Sequence, residues 1–175
     1  KSVQCSGWCT FYADNNNVLY GCGDNRYGGV GINSSETVIN RFVKVGENVK
    51  NYQILGSMNS YLTYSGEYYS AGYNTGGNQG TGNNTTVKKF TKRGDNVVQG
   101  FIMMRLAMYV NAKNELYVTG LNTHGQQGTG NVLATKVFSK RAENVKFLAG
   151  FGDSDYEPNI IAYVDTNYDL YLAGD

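Results

Sequence analysis

The sequence has few side chains that could perform acid–base or nucleophilic chemistry. His124 is its only histidine, whereas nucleophilic catalysis needs a base held beside the nucleophile. Carboxylates recur at Glu47, Asp95 and Glu143, but these occupy one evenly repeated position and precede an Asn-Val pair, which is typical of a turn. We therefore predict that the chain is not an enzyme and that it carries no cofactor.

The cysteines do not suggest a metal site. Cys5, Cys9 and Cys22 are an odd number, so they cannot form a closed disulfide framework. Cys5 and Cys9 are four residues apart, which predicts one face of a single strand, where they would pack as small hydrophobic side chains. A fourth soft ligand for zinc would have to come from His124, about a hundred residues away. We predict that no metal is bound.

The charge balance argues against a nucleic-acid partner. Lys and Arg total 15 and Asp and Glu 14, for a formal net charge of +1, and nucleic acids or anionic membranes require a clustered basic face. No apolar run approaches the roughly 18 residues of a membrane span, and the first ten residues lack a secretory signal. The compartment is not identified, but we expect a soluble chain and favour an intracellular one.

An internal repeat dominates the sequence. Four times, a tyrosine is followed eight residues later by a second tyrosine, and a glycine comes three residues after that. The first tyrosines recur at intervals of about 50 residues, the size of one unit in several repeat folds. These positions are Tyr12, Tyr20 and Gly23; Tyr61, Tyr69 and Gly72; Tyr109, Tyr117 and Gly120; and Tyr163, Tyr171 and Gly174. Phe42, Phe90 and Phe138 also recur, evenly spaced.

A glycine motif follows the first three of these tyrosine pairs. An asparagine lies two residues after the first glycine, and further glycines lie five and eight residues after it. No helical pattern and no Lys-Ser/Thr follows, so a phosphate-binding loop is disfavoured and a structural turn at positive backbone φ is expected. The motif residues are Gly23, Asn25, Gly28 and Gly31; Gly72, Asn74, Gly77 and Gly80; and Gly120, Asn122, Gly125 and Gly128.

Each repeat predicts four short strands. Residues 11–13 and 19–20 flank a polar turn, which indicates a hairpin with its tyrosines on one face. A third strand is expected at 41–45, 87–91 and 136–139, and a fourth at 49–55, 97–106 and 145–149. Four strands in about 48 residues is the size of one propeller blade. The fold class predicted is therefore all-β, a β-propeller of four-stranded blades.

The motif resembles the repeat of the regulator of chromosome condensation (RCC1-like) family. The best match is residues 120–130, Gly-Leu-Asn-Thr-His-Gly-Gln-Gln-Gly-Thr-Gly, and the resemblance covers essentially the whole chain. Where the family has a tryptophan before the first glycine, this chain has Cys22, Ala71, Thr119 and Ala173. The resemblance implies a seven-bladed β-propeller with about 50 residues per blade.

Residues 1–175 are accordingly interpreted as a partial β-propeller, about half of a seven-bladed ring. Three full repeats and the start of a fourth are expected, with motifs beginning near 12, 61, 109 and 163. Each full repeat has about 48 to about 54 residues. The remaining blades of the same propeller, or a second copy, would complete the ring. A closed four-bladed ring is the alternative.

Departures from the repeat indicate where a partner could bind. The third unit is six residues longer than the others, in a segment with three acids, two aromatic residues and the only proline. Asp153, Asp155, Tyr156 and Glu157 are the resulting candidates for contact with a basic partner, a solvated connection being the alternative. A second candidate is the basic stretch at 88–93, with its counterparts Lys136, Lys140 and Arg141.

These observations favour a non-catalytic protein–protein interaction module. Its partner would be another protein, with no nucleic acid and no membrane insertion. The resemblance also implies two alternatives, a guanine-nucleotide exchange factor for a small GTPase and a structural subunit of a larger assembly. No residue here matches a motif for exchange, and a shared fold does not establish a function.

Overall fold

The computed structural model describes residues 1–151 and 160–174, and all regular structure in them is β-strand. The prediction of an all-β chain is therefore confirmed. The strands are β1 (Ser2–Cys5), β2 (Cys9–Ala13), β3 (Leu19–Asp24), β4 (Val38–Gly46), β5 (Val49–Ile54), β6 (Met58–Thr63), β7 (Tyr68–Gly72), β8 (Val87–Gly94), β9 (Val97–Met103), β10 (Leu106–Asn111), β11 (Leu116–Gly120), β12 (Thr135–Ala142), β13 (Val145–Phe151), β14 (Ile160–Asp165) and β15 (Leu170–Ala173).

The strands pair in chain order in antiparallel sheets. Three sheets have four strands each, β1–β4, β5–β8 and β9–β12. A fourth sheet has three strands among the described residues, β13–β15. The chain divides into two compact units. The first comprises Lys1–Tyr73 with Thr86–Asp95 and holds the first two sheets, and the second comprises Asn74–Thr85 with the chain from Asn96 onward and holds the other two.

The sheets are out of phase with the sequence repeat by one strand. The predicted hairpin exists as β2 and β3, and its third strand exists as β4, which extends further than expected. The strand predicted as fourth, at 49–55, instead opens the next sheet, because β5 pairs with β6. Asn48 turns the chain between β4 and β5 at a φ of 55°, a left-handed conformation that asparagine tolerates better than most residues.

The repeated tyrosines form a stacked pair in every sheet. Each first tyrosine lies directly opposite the second in the strand register. The ring centroids are 4.7 to 5.1 Å apart and the planes differ by 9 to 17°, so aromatic stacking adds to the burial of apolar area. In the first three sheets, the recurring phenylalanine of the fourth strand contacts the first tyrosine at 4.9, 4.9 and 5.0 Å.

Each unit has its own hydrophobic core. Phe11, Leu19 and Ile39 are almost completely buried in the first unit, where Tyr61 and Phe90 pack in the same cluster. The core of the second unit contains Leu106, Met108, Leu116, Leu148 and Ile161. Alternate residues of β2 are buried, as expected for a strand with one face against a core.

The prediction that Cys5 and Cys9 share one strand is wrong. A turn at residues 6–8 places Cys5 at the end of β1 and Cys9 at the start of β2. Cys5 is exposed, whereas Cys9 is buried and its thiol donates to the carbonyl oxygens of Asp24 and Gly56 at 3.3 Å. Burial raises the pKa of the Cys9 thiol to about 11.

Glycine is required at the start of each glycine motif because a backbone carbonyl lies against it. Gly23, Gly72 and Gly120 have φ values of 118, 111 and 119°. A Cβ at Gly72 would lie 1.9 Å from the carbonyl oxygen of Ser57, and the corresponding distances at Gly23 and Gly120 are 2.3 and 2.2 Å. The other glycines of the three motifs also have positive φ, the conformation expected from the sequence.

The motif asparagine holds its loop together from inside. The Nδ2 of Asn122 donates to Thr129 Oγ1 and to the carbonyl oxygens of Asn131 and Leu133, and its Oδ1 accepts from the amide of Gln127. Asn74 makes the corresponding four hydrogen bonds in its own loop. Asn25 makes one such donation, to the carbonyl of Glu36, and within the described residues its Oδ1 has no partner.

The carbonyl contact at Gly72 predicts that Gly72→Ala destabilises the chain. We expect the free energy of unfolding to fall by about 2 to 3 kcal/mol, because the new methyl group can be accommodated only by moving the backbone. Gly7→Ala is the matched control, since nothing lies within 4 Å of a Cβ there. Guanidinium unfolding followed by circular dichroism measures both variants, and equal losses would contradict the prediction.

The asparagine hydrogen bonds give a second prediction. Asn122→Ala removes four hydrogen bonds in a buried loop, so we expect it to cost about 3 kcal/mol, whereas Asn25→Ala should cost about 1 kcal/mol. Chemical denaturation of the two variants beside the parent chain measures the difference. If Asn25→Ala were the more damaging change, the proposed role of these hydrogen bonds would be wrong.

Candidate protein-binding surface

The residues that the sequence singles out for partner contact cannot be placed. Asp153, Asp155, Tyr156 and Glu157 lie outside the described residues. They belong to the connection between β13 and β14. Because β13 and β14 are the first two strands of the last sheet, this connection corresponds to the β1–β2 turn of the first sheet.

Much of the second sequence candidate, the basic stretch, is occupied by internal contacts. Lys92 forms ion pairs with Glu67 and Asp95, and Lys140 forms the equivalent pairs with Glu115 and Glu143. Arg93 donates to the hydroxyl of Ser70, and desolvation lowers its pKa to about 10. Arg141 donates to Gln127 and Thr135. These four cations therefore have partners within their own sheets.

The histidine and the recurring carboxylates that could perform chemistry contact neighbouring residues of their own turns. His124 is exposed in the third glycine motif, with its Nδ1 3.1 Å from the hydroxyl of Thr123. Glu47, like Asp95 and Glu143, pairs with a lysine three residues before it. Over residues 1–151 and 160–174, no three His, Cys, Asp or Glu side chains are grouped to hold a metal. The same residues contain no helix of sufficient length and hydropathy to cross a membrane.

Trp8 is an exposed aromatic side chain at the end of the first sheet where β1 turns into β2. It lies in the β1–β2 turn and is 60% exposed. Gly56, in the β5–β6 turn, makes room for its ring, because a Cβ on Gly56 would lie 2.8 Å from Trp8 Cδ1. Covering the exposed part of this ring with a partner would remove apolar surface from water, which is favourable.

Arg26 fixes one side of the Trp8 ring. Its guanidinium carbon is 5.4 Å from the ring centroid, a cation–π contact. The same guanidinium forms an ion pair with Asp24, whose Oδ2 accepts from Nε at 2.8 Å. Hydrogen bonding to Arg26 lowers the pKa of Asp24. The charge of Arg26 is therefore compensated within the cluster while its planar group remains half exposed.

The residue after Arg26, Tyr27, makes an aromatic contact of its own. Tyr27 follows Arg26 in the β3–β4 loop, and its ring meets Tyr73, which follows β7, at 5.1 Å and 73°. Tyr27 is 46% exposed. We call Trp8, Arg26, Tyr27 and Tyr73 the Trp8 surface.

Backbone hydrogen bonds make the Trp8 surface rigid. The amide of Asp24 donates to the carbonyl of Trp8 at 2.9 Å, and the amide of Tyr73 donates to the carbonyl of Ser57 at 2.9 Å. Asn59 joins the two sheets by donating to the carbonyls of Gly29 and Gly56. The loops that carry the exposed rings are thus fixed before any partner arrives, which reduces the entropy cost of binding.

The arrangement suits recognition of a protein surface. Trp, Tyr and Arg are the residue types most often found to dominate binding energy at protein interfaces. The repeat pattern does not predict this surface, because Trp8 does not recur. The available signal was its uniqueness: Trp8 is the only tryptophan of the chain and adjoins a Ser-Gly turn.

Similarity to known proteins is found at the level of structure. No family model and no curated protein matches the sequence. Human WBSCR16 superimposes with a TM-score of 0.77 at 19% identity, over 97% of this chain and 46% of that protein. Yeast RCC1 (Prp20), solved bound to Kap60, gives 0.72 at 16% identity, over 99% of this chain and 43% of that protein.

A second structure of the same yeast protein gives the same match. Prp20p from Saccharomyces cerevisiae, a protein with binding properties toward Gsp1p and histones, gives a TM-score of 0.71 at 16% identity and covers 99% of this chain. The chain spans 43 to 46% of the length of the chains in these three structures. With its successive sheets of antiparallel strands, the chain has the RCC1-like β-propeller repeat fold.

Proposed function

We propose that this chain is a non-catalytic protein-interaction module that binds a protein partner through the Trp8 surface. The observation that carries the proposal is the exposed Trp8 ring, packed between Arg26 and Gly56. A partner that covers this ring gains apolar burial without having to order the loops first.

The polar groups of the Trp8 surface would select among partners. Asp24 already neutralises Arg26, so the surface offers directional donors and an aromatic face rather than a strong positive charge. Such a surface suits a partner with an apolar side chain ringed by hydrogen-bond acceptors. The acidic segment with Asp153, Asp155, Tyr156 and Glu157 is a separate candidate for contact with a basic partner.

The fold comparison supports protein partners in general. Yeast RCC1 is bound to Kap60 in its structure, and Prp20p has binding properties toward Gsp1p and histones. These are properties of those proteins. For this chain they favour a protein partner without naming it.

Trp8→Ala tests the proposal directly. We expect the affinity for a partner to fall about 30-fold, the equivalent of about 2 kcal/mol for loss of a dominant aromatic contact. The measurement is quantitative capture from cell lysate by the immobilised chain, followed by titration of each captured protein. Tyr64→Ala is the matched control, because Tyr64 is a similarly exposed aromatic residue at 54% in the β6–β7 hairpin, at the opposite end of its sheet.

The result against the proposal is a captured set that Trp8→Ala leaves unchanged. Unfolding curves for both variants separate lost binding from lost structure. A labelled-nucleotide release assay on a panel of small GTPases covers the exchange-factor alternative. Stimulated release that survives Trp8→Ala would replace the proposed function with exchange activity at another surface.

A further inference from the structure

The lysines on either side of a recurring phenylalanine differ in their partners. Lys92 follows Phe90 by two residues in β8 and forms two ion pairs, as Lys140 does after Phe138 in β12. Lys88 precedes Phe90 by two residues, and its side chain forms no ion pair or hydrogen bond with any residue that the structure describes. The charge after the phenylalanine is used within the sheet, whereas the charge before it is available to a partner.

Lys88 lies against the glycine motif of the first sheet. A Cβ at Gly28 would be 2.6 Å from Lys88 Cα and 3.2 Å from its Cγ. The carbonyl of Lys88 also accepts from the amide of Asn33 at 2.7 Å. The backbone and the start of the side chain are therefore held in place, while the residue remains exposed.

The equivalent lysine of β12, Lys136, packs in the same way in a different setting. A Cβ at Gly77 would be 2.8 Å from Lys136 Cγ, and Lys136 is also exposed. The residue before the packed glycine is Tyr27 in the first motif but Gly76 in the second. Lys88 therefore lies next to an exposed aromatic residue, whereas the corresponding position beside Lys136 is a glycine.

Gly28 connects Lys88 to the Trp8 surface. It follows Arg26 and Tyr27 directly in the chain, and the guanidinium of Arg26 lies over the Trp8 ring. Three consecutive residues span at most about 7 Å between their Cα atoms, and an extended chain advances about 3.3 Å per residue. A partner segment of a few residues could therefore contact both the tryptophan ring and the lysine.

The acids of the same β3–β4 connection already have partners. Asp24 pairs with Arg26, and Glu36 lies 3.5 Å from Arg41. Lys88 is left as an uncompensated positive charge beside exposed aromatic rings. A carboxylate on the partner would complement that charge, whereas a cation would be repelled.

A nucleic-acid backbone fits this surface less well than a carboxylate does. Single-stranded nucleic acids are bound in grooves where several cations follow the phosphates. Here Asp24 neutralises Arg26 and would itself repel a phosphate. Lys89, the residue after Lys88, alternates to the other face of β8.

We propose that Lys88 completes the Trp8 surface as a docking site for an extended acidic segment of a partner protein. An apolar side chain of that segment covers the Trp8 ring, and a carboxylate a few residues away pairs with Lys88. This site builds on the proposed function, because it assigns the partner chemistry of the same surface. It additionally requires the charge of Lys88, on which the proposed function does not depend.

The synthetic peptide Ser-Glu-Glu-Ser-Ser-Leu-Ser is the probe, titrated against the full chain. Because Trp8 is the only tryptophan, its fluorescence reports directly whether this ring is covered. We expect a saturable blue shift of the emission. A peptide with glutamine in place of both glutamates should bind about fivefold more weakly, the effect of losing an exposed charge pair.

Variants of the chain are compared by the anisotropy of the same peptide carrying a fluorescein label. Lys88→Glu should weaken binding about fivefold, and the variant should regain affinity for a peptide with lysine in place of both glutamates. Lys50→Glu is the matched control, because Lys50 is an exposed lysine at the end of β5 opposite the turn that holds Gly56. It makes the same change in net charge and should alter binding by less than about twofold.

Equal weakening by Lys88→Glu and Lys50→Glu would overturn the proposal, because net charge alone would then explain the binding. Binding that Trp8→Ala abolishes and Lys88→Glu leaves intact would also overturn it, while the proposed function would stand. So would the absence of saturable binding of the acidic peptide, with the lysate capture still deciding the proposed function. Tighter binding of an oligodeoxythymidine that Lys88→Glu weakens would replace the acidic segment with a single-stranded nucleic acid.

Discussion

The contact between a left-handed glycine and a phenylalanine ring is the constraint on which the architecture depends. Phe90 lies on Gly31, and Phe138 lies on Gly80, at distances that no side chain on the glycine would allow. Because the glycine belongs to one repeat and the phenylalanine to the next, each contact joins neighbouring repeats. Stability in such an array comes from each repeat and from its contact with its neighbour, so the glycine motif recurs wherever that contact is made.

The recurring parts of the chain are committed to this framework. Tyrosine pairs, buried motif asparagines and lysine–carboxylate pairs all serve to position strands. Function is then expected in residues that do not recur. Trp8 and Arg26 are such residues, and they lie on loops that the sheets hold rigid.

Sequence periodicity predicted the hairpins, the facing tyrosines and the glycine turns, because these depend on residues close in sequence. It misplaced the sheet boundary, since only hydrogen bonding shows that β5 pairs with β6 and not with β4. It also assigned Cys5 and Cys9 to one strand, because spacing alone does not reveal the turn between them. The position of the Trp8 ring was beyond prediction for a related reason: the ring packs against Gly56, which is distant in sequence and belongs to the turn of another sheet.

Amide hydrogen exchange tests most directly the contact between each glycine motif and the fourth strand of the following sheet. Asn33 and Gly82 donate to an incoming strand, whereas the equivalent amide of Gly130 has no acceptor among the described residues. We expect the first two amides to exchange at least about a hundredfold more slowly than Gly130, since a bonded amide exchanges only after opening. Similar rates at all three positions would contradict the account, because the glycine motifs would then not be held by β8 and β12.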